Sequence, residues 1–290
     1  MKKGILLGLW LSLVPVVLSG AYQWPVQRVV LKQTFGQDDQ GVFLPGLTLS
    51  GPPQEVRPVE GGELIYYFGE DQPYLLPSGL GNFAVLRHER NLLSLYAHLE
   101  SPPPDRPDPY FSPAEVLGVL GSSELGLQII DMEFNQTVNP LKILPPLADR
   151  IPPEVGEVFI RAGEEWRPLV AEQGLPWGDY ELAAEIWDQS PDYPDHQPMA
   201  PYQVRVFING RESFSQTFEG LEAEGGRLFL GSRRSRRRFE ELYTSGGDFF
   251  LGRLQLSRGL TVLEIIAEDF QGNRSFKSLS LFGLSGEGTP

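Results

Sequence analysis

Residues 81–99 of the 290-residue chain read GNFAVLRHERNLLSLYAHL. Two apolar runs flank the polar residues Glu89-Arg90-Asn91, a pattern that predicts a β-hairpin. Side chains in the second run alternate between the two faces of one strand, with Leu93, Leu95 and Ala97 opposite Ser94, Tyr96 and His98. The strand ends at His98, one of three histidines in the chain.

Much of the rest of the chain also has the pattern of short strands. Gly (32) and Pro (26) are abundant, and no long apolar stripe with helical spacing competes with the strand pattern. EVRPVEGGELIYYF predicts a hairpin around Gly61-Gly62, whereas the six prolines of residues 101–113 predict an exposed loop. VLGVLGSS and LGLQIIDMEF are further strand candidates. The sequence therefore predicts an all-β fold.

A change of character near residue 150 predicts two domains. Leu144-Pro145-Pro146 and Ile151-Pro152-Pro153 bracket it, giving expected domains at residues 22–150 and 151–290. Short strands in the second half, with turns such as Asn209-Gly210, predict an antiparallel β-sandwich. Its last hairpin, built around EDFQGN, resembles the closing hairpin of immunoglobulin-like modules in bacterial envelope proteins.

Residues 1–21 have the three parts of a secretory signal. Lys2 and Lys3 form a positive start, ILLGLWLSLVPVVL an apolar middle, and Ser19-Gly20-Ala21 a small-residue cleavage site. We expect cleavage and export, with only transient membrane contact; a retained anchor is the alternative. The chain has no cysteine, as is common for proteins of a bacterial envelope or periplasm.

The charge balance excludes some classes of partner. The net charge is −14, and without residues 1–21 the chain has 22 Lys+Arg against 38 Asp+Glu, or 22 − 38 = −16. This argues against nucleic acid and against anionic lipid as a partner. The exception is the arginine-rich segment 233–238, which we interpret as a solvated loop balanced by Glu240 and Glu241 rather than an anion site.

Several fragments in residues 41–144 together resemble one family. Besides the quoted hairpin, they are Gly46, VRPVEGGELIYY, LGVLGS (117–122) and VNPL (138–141). In this order and spacing they are similar to the lysostaphin-type (LytM) zinc endopeptidase domain, which cuts peptide cross-links of peptidoglycan. Tyr96-Ala97-His98-Leu99 matches the family motif directly.

The resemblance implies a zinc site whose ligands this chain lacks. The family binds Zn²⁺ through the His and Asp of a His-x-Gly-x-Asp stretch and the second His of a later His-x-His. The first two positions fall on Leu44 and Thr48. The His-x-His strand falls on Gly126 and Gln128, or one residue later on Leu127 and Ile129. Since none of these side chains replaces imidazole or carboxylate, we predict no metal, no cofactor and no peptidase activity.

The histidines that remain do not restore the site. His98 corresponds to a non-ligand catalytic histidine of the family and is interpreted as vestigial, while His88 matches a histidine that is not a ligand. In the second half, Asp188, Asp192, Asp195 and His196 allow a cation site, but their spacing favours a solvated acidic loop.

These observations leave three functional hypotheses. The first is a non-catalytic envelope protein whose metal-free groove binds a cell-wall hydrolase or a peptidoglycan stem peptide. The second is an active metallopeptidase with an unconventional site, and the third is a structural or adhesive module acting through the sandwich. For the first hypothesis, the predicted groove residues are Tyr96, His98, Leu44, Thr48 and Gln128.

Overall fold

The computed structural model describes residues 22–69, 79–101, 103–121, 124–190, 198–231 and 235–284. The predicted signal segment lies outside these ranges. The described chain is built of strands in mainly antiparallel sheets, with short 3-10 turns at Glu89–Asn91, Pro140–Lys142 and Phe239–Glu241, so the all-β prediction is confirmed. Within the described residues, no helix has the length and apolar character needed to cross a bilayer.

The first half contributes twelve described strands, several of them very short. They are β1 (Val30–Gln33), β2 (Asp38–Asp39), β3 (Val42–Phe43), β4 (Leu47–Ser50), β5 (Gln54–Val56), β6 (Gly62–Phe68), β7 (Phe83–Arg87), β8 (Leu92–Ala97), β9 (Tyr110–Phe111), β10 (Gly118–Leu120), β11 (Leu125–Asp131) and β12 (Gln136–Val138).

The second half contributes a further eleven described strands. They are β13 (Glu154–Arg161), β14 (Trp166–Pro168), β15 (Gly174–Pro176), β16 (Gly178–Trp187), β17 (Gln203–Ile208), β18 (Arg211–Thr217), β19 (Gly220–Glu224), β20 (Arg227–Leu230), β21 (Phe249–Leu256), β22 (Gly259–Glu268) and β23 (Arg274–Leu284).

A ten-stranded sheet dominates the first half. Its main path is β20-β19-β12-β11-β8-β7-β6-β9, and β4 joins it through β11 while also pairing with β1. One face is packed with fully buried side chains such as Leu49, Tyr96 and Leu127. The short pair β5–β10 contributes to the same core through Val56 and Leu120. Strand alternation leaves the opposite face less buried where β4, β11 and β8 meet.

The second half contains two further sheets. One has the order β14-β13-β16-β21 and the other β15-β23-β22-β17-β18, in which β15 and β23 are parallel. Buried residues alternate along the long strands, as with Leu263, Ile265 and Ala267 of β22. This alternation gives each sheet an apolar inner face, as expected of a β-sandwich.

The two halves share a sheet across the predicted boundary near residue 150. The hairpin β19–β20 comes from the second half, yet β19 pairs with β12 of the first. Gly36 also lies against the second half: its φ is +79°, and a Cβ there would lie 2.6 Å from Cδ1 of Phe218. Any other residue at this position would be strained and would clash. The two halves therefore pack closely together.

Two predicted hairpins have different outcomes. Strands β7 and β8 pair antiparallel across Glu89–Asn91, as the sequence predicts. The predicted hairpin around Gly61-Gly62 is wrong, because β5 pairs with β10 while β6 pairs with β7 and β9. The cause is the extended segment between them, in which Arg57 N donates to Pro25 O and directs the chain away from a tight turn.

Candidate functional site

The candidate site lies where three neighbouring strands bring two of the expected ligand positions, Thr48 and Gln128, to one face of the sheet. On β4 and β11, Thr48 is directly opposite Gly126, and on β11 and β8 Gly126 is opposite Ala97. Directly opposed residues of antiparallel strands point to the same face. Gln128 lies two residues further along β11 and so shares this face. We call the surface formed by Thr48, Gly126, Gln128 and His98 the cleft.

Burial distinguishes the two registers left open for the His-x-His strand. Leu127 and Ile129 are 0% and 2% exposed and belong to the core, whereas Gly126 and Gln128 are only half-buried. Gly126 and Gln128 are therefore the pair on the Thr48 side. Gly46 also belongs here, because a Cβ on it would lie 2.2 Å from Leu127 O and 2.9 Å from Gln128 Cγ.

The chemistry of the cleft differs from that of a metal centre. The Thr48 hydroxyl is almost buried and donates to Gln33 Oε1 at 2.8 Å. Leu44 is half-buried, and its backbone is bonded to Gln37 and Gly36. Thr48, Gly126, Gln128 and Leu44 together supply no imidazole or carboxylate, the donors that zinc prefers besides thiolate.

His98 borders the cleft with an unusual backbone. Its side chain is exposed and its φ is +61°, a left-handed conformation that is uncommon for residues other than glycine. Its backbone N donates to Leu80 O at 2.9 Å. A Cβ built on Gly126 would lie 3.9 Å from His98 Cδ2, which puts the imidazole beside the expected ligand positions.

Tyr96 does not lie in the cleft. Its side chain is 0% exposed and faces the core, on the same side of the sheet as Leu127 with which it pairs. The prediction that Tyr96 lines the groove beside His98 is therefore wrong. Both residues have the same parity in the strand, but β8 ends at Ala97 and the left-handed turn at His98 breaks the alternation.

Tyr96 belongs to a buried chain of polar groups behind the cleft. His88 Nδ1 lies 3.1 Å from Gly61 O, and His88 Nε2 lies 2.6 Å from Ser94 Oγ. The Ser94 and Tyr96 hydroxyls are 3.0 Å apart, and Val59 N donates to Tyr96 Oη at 2.8 Å.

Burial lowers the pKa of His88, which favours the neutral ring. A carbonyl accepts only, so the proton of the neutral ring lies on Nδ1, which donates to Gly61 O. In the motif Tyr-Ala-His-Leu, Tyr96 therefore lies in the core among these hydrogen-bonded groups, whereas His98 lies at the surface.

A second polar cluster was not predicted as a unit. Carboxylate oxygens of Asp149, Asp188 and Asp269 lie within 4.8 Å of one another, next to a cavity of about 300 Å³ between the two halves. Of the residues interpreted from the sequence as a solvated acidic loop, Asp192, Asp195 and His196 lie outside the described residues. Asp188 is described and is 7% exposed, so the interpretation as a solvated residue is wrong for Asp188.

The arginine-rich segment is largely neutralised where it is described. Arg236 pairs with Glu222 and Glu224, and Arg238 pairs with Glu241. Arg237 donates to Gln216 and lies over the ring of Phe214. Residues 233 and 234 lie outside the described ranges.

A protein-family model matches residues 152–282, which is less than half of the chain. No curated protein gives a significant match. Among solved structures, the chain is similar to the SpoIIQ-SpoIIIAH pore-forming complex, with 16% identity over 43% of this chain and 91% of that chain and a TM-score of 0.34. A catalytic-domain mutant of the prophage-encoded M23 protein EnpA from Enterococcus faecalis has 16% identity over 39% and 88%, with a TM-score of 0.32.

The NMR solution structure of lysostaphin has 13% identity over 82% of this chain and 98% of that chain, with a TM-score of 0.34. These neighbours include LytM-type (M23) peptidase domains at low identity. Identities and TM-scores this low say nothing about the chemistry of the cleft in this chain.

Proposed function

We propose that this chain is a non-catalytic protein of the bacterial cell envelope, whose metal-free cleft binds a segment of a cell-wall hydrolase or a peptidoglycan stem peptide. One observation carries the proposal. Thr48 and Gln128, which correspond to two zinc ligands in the resemblance to LytM-type peptidases, share one face of the sheet beside Gly126, but a hydroxyl and an amide are poor zinc ligands. Without a metal there is no activated water and no polarised scissile carbonyl, so His98 has no reaction to assist.

The character of the cleft supports peptide recognition. Gln128 offers both donor and acceptor groups, and His98 supplies an exposed imidazole on the other side of Gly126, which has no side chain to cover the sheet. These groups can hydrogen-bond an extended peptide without metal. Tyr96 is not part of this surface, because it lies in the core.

Charge favours the protein partner over the wall polymer. Without residues 1–21 the net charge is 22 − 38 = −16, which repels a polymer that carries carboxylates. A hydrolase segment with basic residues would be attracted instead. Export through the predicted signal would bring the protein to such a partner, and this localisation is part of the proposal.

The test uses the full chain expressed in a bacterial host and recovered from the envelope fraction. We expect substoichiometric zinc after purification in zinc-containing buffer, and no release of muropeptides from sacculi. Stoichiometric zinc together with chelator-sensitive cleavage would favour the active metallopeptidase and reject the proposal.

Binding is tested with a purified cell-wall amidase and with purified sacculi. The variant His98→Ala/Gln128→Ala should weaken capture of one of these probes by about ten-fold, the size of a lost hot spot. The control Met132→Ala/Glu133→Ala alters exposed residues beyond the other end of β11 and should bind like the parent. Equal binding by parent and cleft variant would reject the cleft as the binding surface.

A second candidate has one observation in its favour. The outer face and edge of the β15-β23-β22 sheet expose large apolar side chains, namely Trp177, Leu260, Phe276, Phe282 and Leu284. Such a patch is typical of an adhesive surface. Because β19–β20 belongs to the first sheet, deleting the second half would damage both halves. Trp177→Ser/Phe282→Ser is the cleaner test: if it alone abolishes capture, function belongs to the sandwich.

A further inference from the structure

One edge of the β15-β23-β22-β17-β18 sheet is only partly covered. Strand β23 is paired along its whole length with β22 on one side. On its other side, β15 pairs only with residues 282–284, and Glu172 N donates to Ser280 O. In the described chain, no backbone group pairs from this side with residues 274–279. The first half of β23 is therefore an open sheet edge.

The backbone of this edge has groups available for pairing. Residues of a strand direct their N–H and C=O groups alternately to one side and the other. Phe282 N donates to Gln173 O on the β15 side. The register with β22 is unbroken along β23, so Phe276 and Ser278, each an even number of residues before Phe282, direct their N–H and C=O groups to the same side. Such a row of groups is a template for another strand.

The side chains of the edge do little to protect it. Phe276 is 76% exposed, more than any other large apolar side chain in the described part of the chain. Proteins often guard an open edge with charged side chains. Here Arg274 forms an ion pair with Glu268 of its own sheet, and Lys277 Nζ donates to Gly156 O. Both cations of the edge are thus bound within the chain.

We propose that β23 of a second copy of this chain pairs antiparallel with the open edge, with Phe276 opposite Phe276 of the second copy. In a two-fold symmetric contact, residues equally far from the axis face each other. Arg274 then faces Ser278 of the second copy, and Ser275 faces Lys277 of the second copy. No like charges are opposed, and two exposed phenyl rings become neighbours, which stabilises a strand pair.

Other symmetric registers fit the same sequence less well. A shift of the axis to Lys277 places the two Lys277 side chains directly opposite each other, and like charges in that position destabilise a strand pair. A shift of the axis to Ser275 places Ser278 opposite Gly272, which lies in the turn before β23. The charges of residues 274–278 therefore favour the axis at Phe276, and this self-complementarity selects a second copy as the partner.

The contact would join two five-stranded sheets into one sheet of ten strands. Each hydrogen-bonded pair of an antiparallel ladder exchanges two bonds, so residues 274–278 of two copies would form about six. The contact is narrow, because the segment at Glu172 already covers Ser280. Interfaces below about 1,200 Å² are typical of weak association. We expect a monomer–dimer equilibrium, in which the cleft formed by β4, β8 and β11 takes no part.

Sedimentation equilibrium of the full chain over a range of concentrations tests the contact. The parent should shift from monomer to dimer as the concentration rises. Ser278→Pro removes an outward N–H at an edge, where proline is tolerated, and should weaken dimerisation about ten-fold or more. Phe276→Lys keeps every backbone group but sets two ammonium groups opposite each other, and should act in the same direction.

The matched control for Phe276→Lys is Phe282→Lys, the same change on the same strand. Residue 282 is exposed, but its edge is already paired with β15, so this variant should dimerise like the parent. Dimerisation of Phe276→Lys and Ser278→Pro at the parent concentration would overturn the proposal. A parent that stays monomeric up to high micromolar concentration would also overturn it and leave the edge to a strand of another protein.

Cross-linking tests the register. The chain has no cysteine, so each introduced thiol is unique in its copy. With the axis at Phe276, the two copies of residue 278 are about 13 Å apart and the two copies of residue 282 about 40 Å apart along the strands. A bis-maleimide with a reach between these distances should link Ser278→Cys into dimers and leave Phe282→Cys unlinked. Equal linking of the two variants would overturn the assigned contact.

Discussion

The cleft and the acidic junction combine geometry and donor chemistry in opposite ways. At the cleft, the strands place Thr48, Gly126 and Gln128 on one face of the sheet, but these residues supply no imidazole or carboxylate. At the junction, Asp149, Asp188 and Asp269 supply anionic oxygen donors, although no motif in the sequence joins them. Convergence and donor chemistry are therefore separate requirements.

The two regions also differ in the interactions that stabilise or destabilise their folded structure. Behind the cleft, the buried chain of His88, Ser94 and Tyr96 joins strands β7 and β8 to Val59 and Gly61 without any metal. At the junction, repulsion between carboxylates opposes packing. Hydrogen bonds thus hold the groups behind the cleft together, whereas burial and the neighbouring carboxylates raise the pKa of Asp188 at the junction.

The largest expected effect comes from restoring the donors at the cleft. Leu44→His/Thr48→Asp/Gln128→His should bind zinc stoichiometrically, because Thr48 and Gln128 share one face of the sheet. Metal analysis after dialysis measures this. The control Leu44→His/Thr48→Asp, with one ligand fewer, should lose most of the zinc. Equal zinc content in the two variants would show that Gln128 is not at the third ligand position.

Next in size is the loss of the buried tyrosine. Tyr96→Ala should lower the free energy of unfolding by about 3–5 kcal/mol, as for other large core aromatics. His98→Ala should change it by less than about 1 kcal/mol, because its side chain is exposed. Chemical denaturation of both variants provides the comparison. If both variants lost a similar free energy of unfolding, this would contradict the placement of Tyr96 in the core and of His98 at the surface.

The His88 chain should respond to pH. Burial lowers the pKa of His88 below its ordinary value of 6.5, so its contribution to stability is present above pH 6.5 and is lost as the pH falls through the folded-state pKa. His88→Gln should be less stable than the parent by about 1–3 kcal/mol at pH 7.5, because buried hydrogen bonds are lost. This difference should shrink towards pH 5.

Denaturation at several pH values, with chelator present, measures that difference. Asp188 acts in the opposite sense: its raised pKa, about 7, gives stability that is present below pH 3.8 and is lost as the pH rises through 7. Asp188 is present in both the parent and His88→Gln, so its contribution cancels when the free energy of unfolding of the variant is subtracted from that of the parent. A difference that stays constant from pH 7.5 to pH 5 would contradict a buried neutral His88.

The sequence predicted the strands better than their partners. The pattern of 81–99 and a polar turn at Glu89-Arg90-Asn91 identified the β7–β8 hairpin, because both are local signals. Pairing of β5 with β10 and of β12 with β19 joins segments far apart in the chain, and periodicity carries no information on such contacts. The hairpin predicted at Gly61-Gly62 was wrong for that reason.

The candidate site was predictable only in part. The resemblance identified Leu44, Thr48 and the β11 strand, but it left open whether Gln128 or Ile129 is at the third ligand position. Ile129 is buried in the core and Gln128 is half-buried on the Thr48 side, which favours Gln128. Alternation placed Tyr96 beside His98 because it assumes a regular strand, and the positive φ of His98 ends that regularity. The carboxylate cluster escaped sequence reasoning because its members are brought together by the packing of the two halves.

The smallest expected effect concerns a hydroxyl at the junction. Ser190 lines the cavity between the two halves, so Ser190→Ala should change the free energy of unfolding by less than about 0.5 kcal/mol. Ser213→Ala is the comparison: its hydroxyl donates to Val206 O at 3.3 Å, so its loss should lower the free energy of unfolding by about 0.5–1 kcal/mol. Chemical denaturation of both variants measures the difference. A larger loss for Ser190→Ala than for Ser213→Ala would show that the Ser190 hydroxyl stabilises the junction.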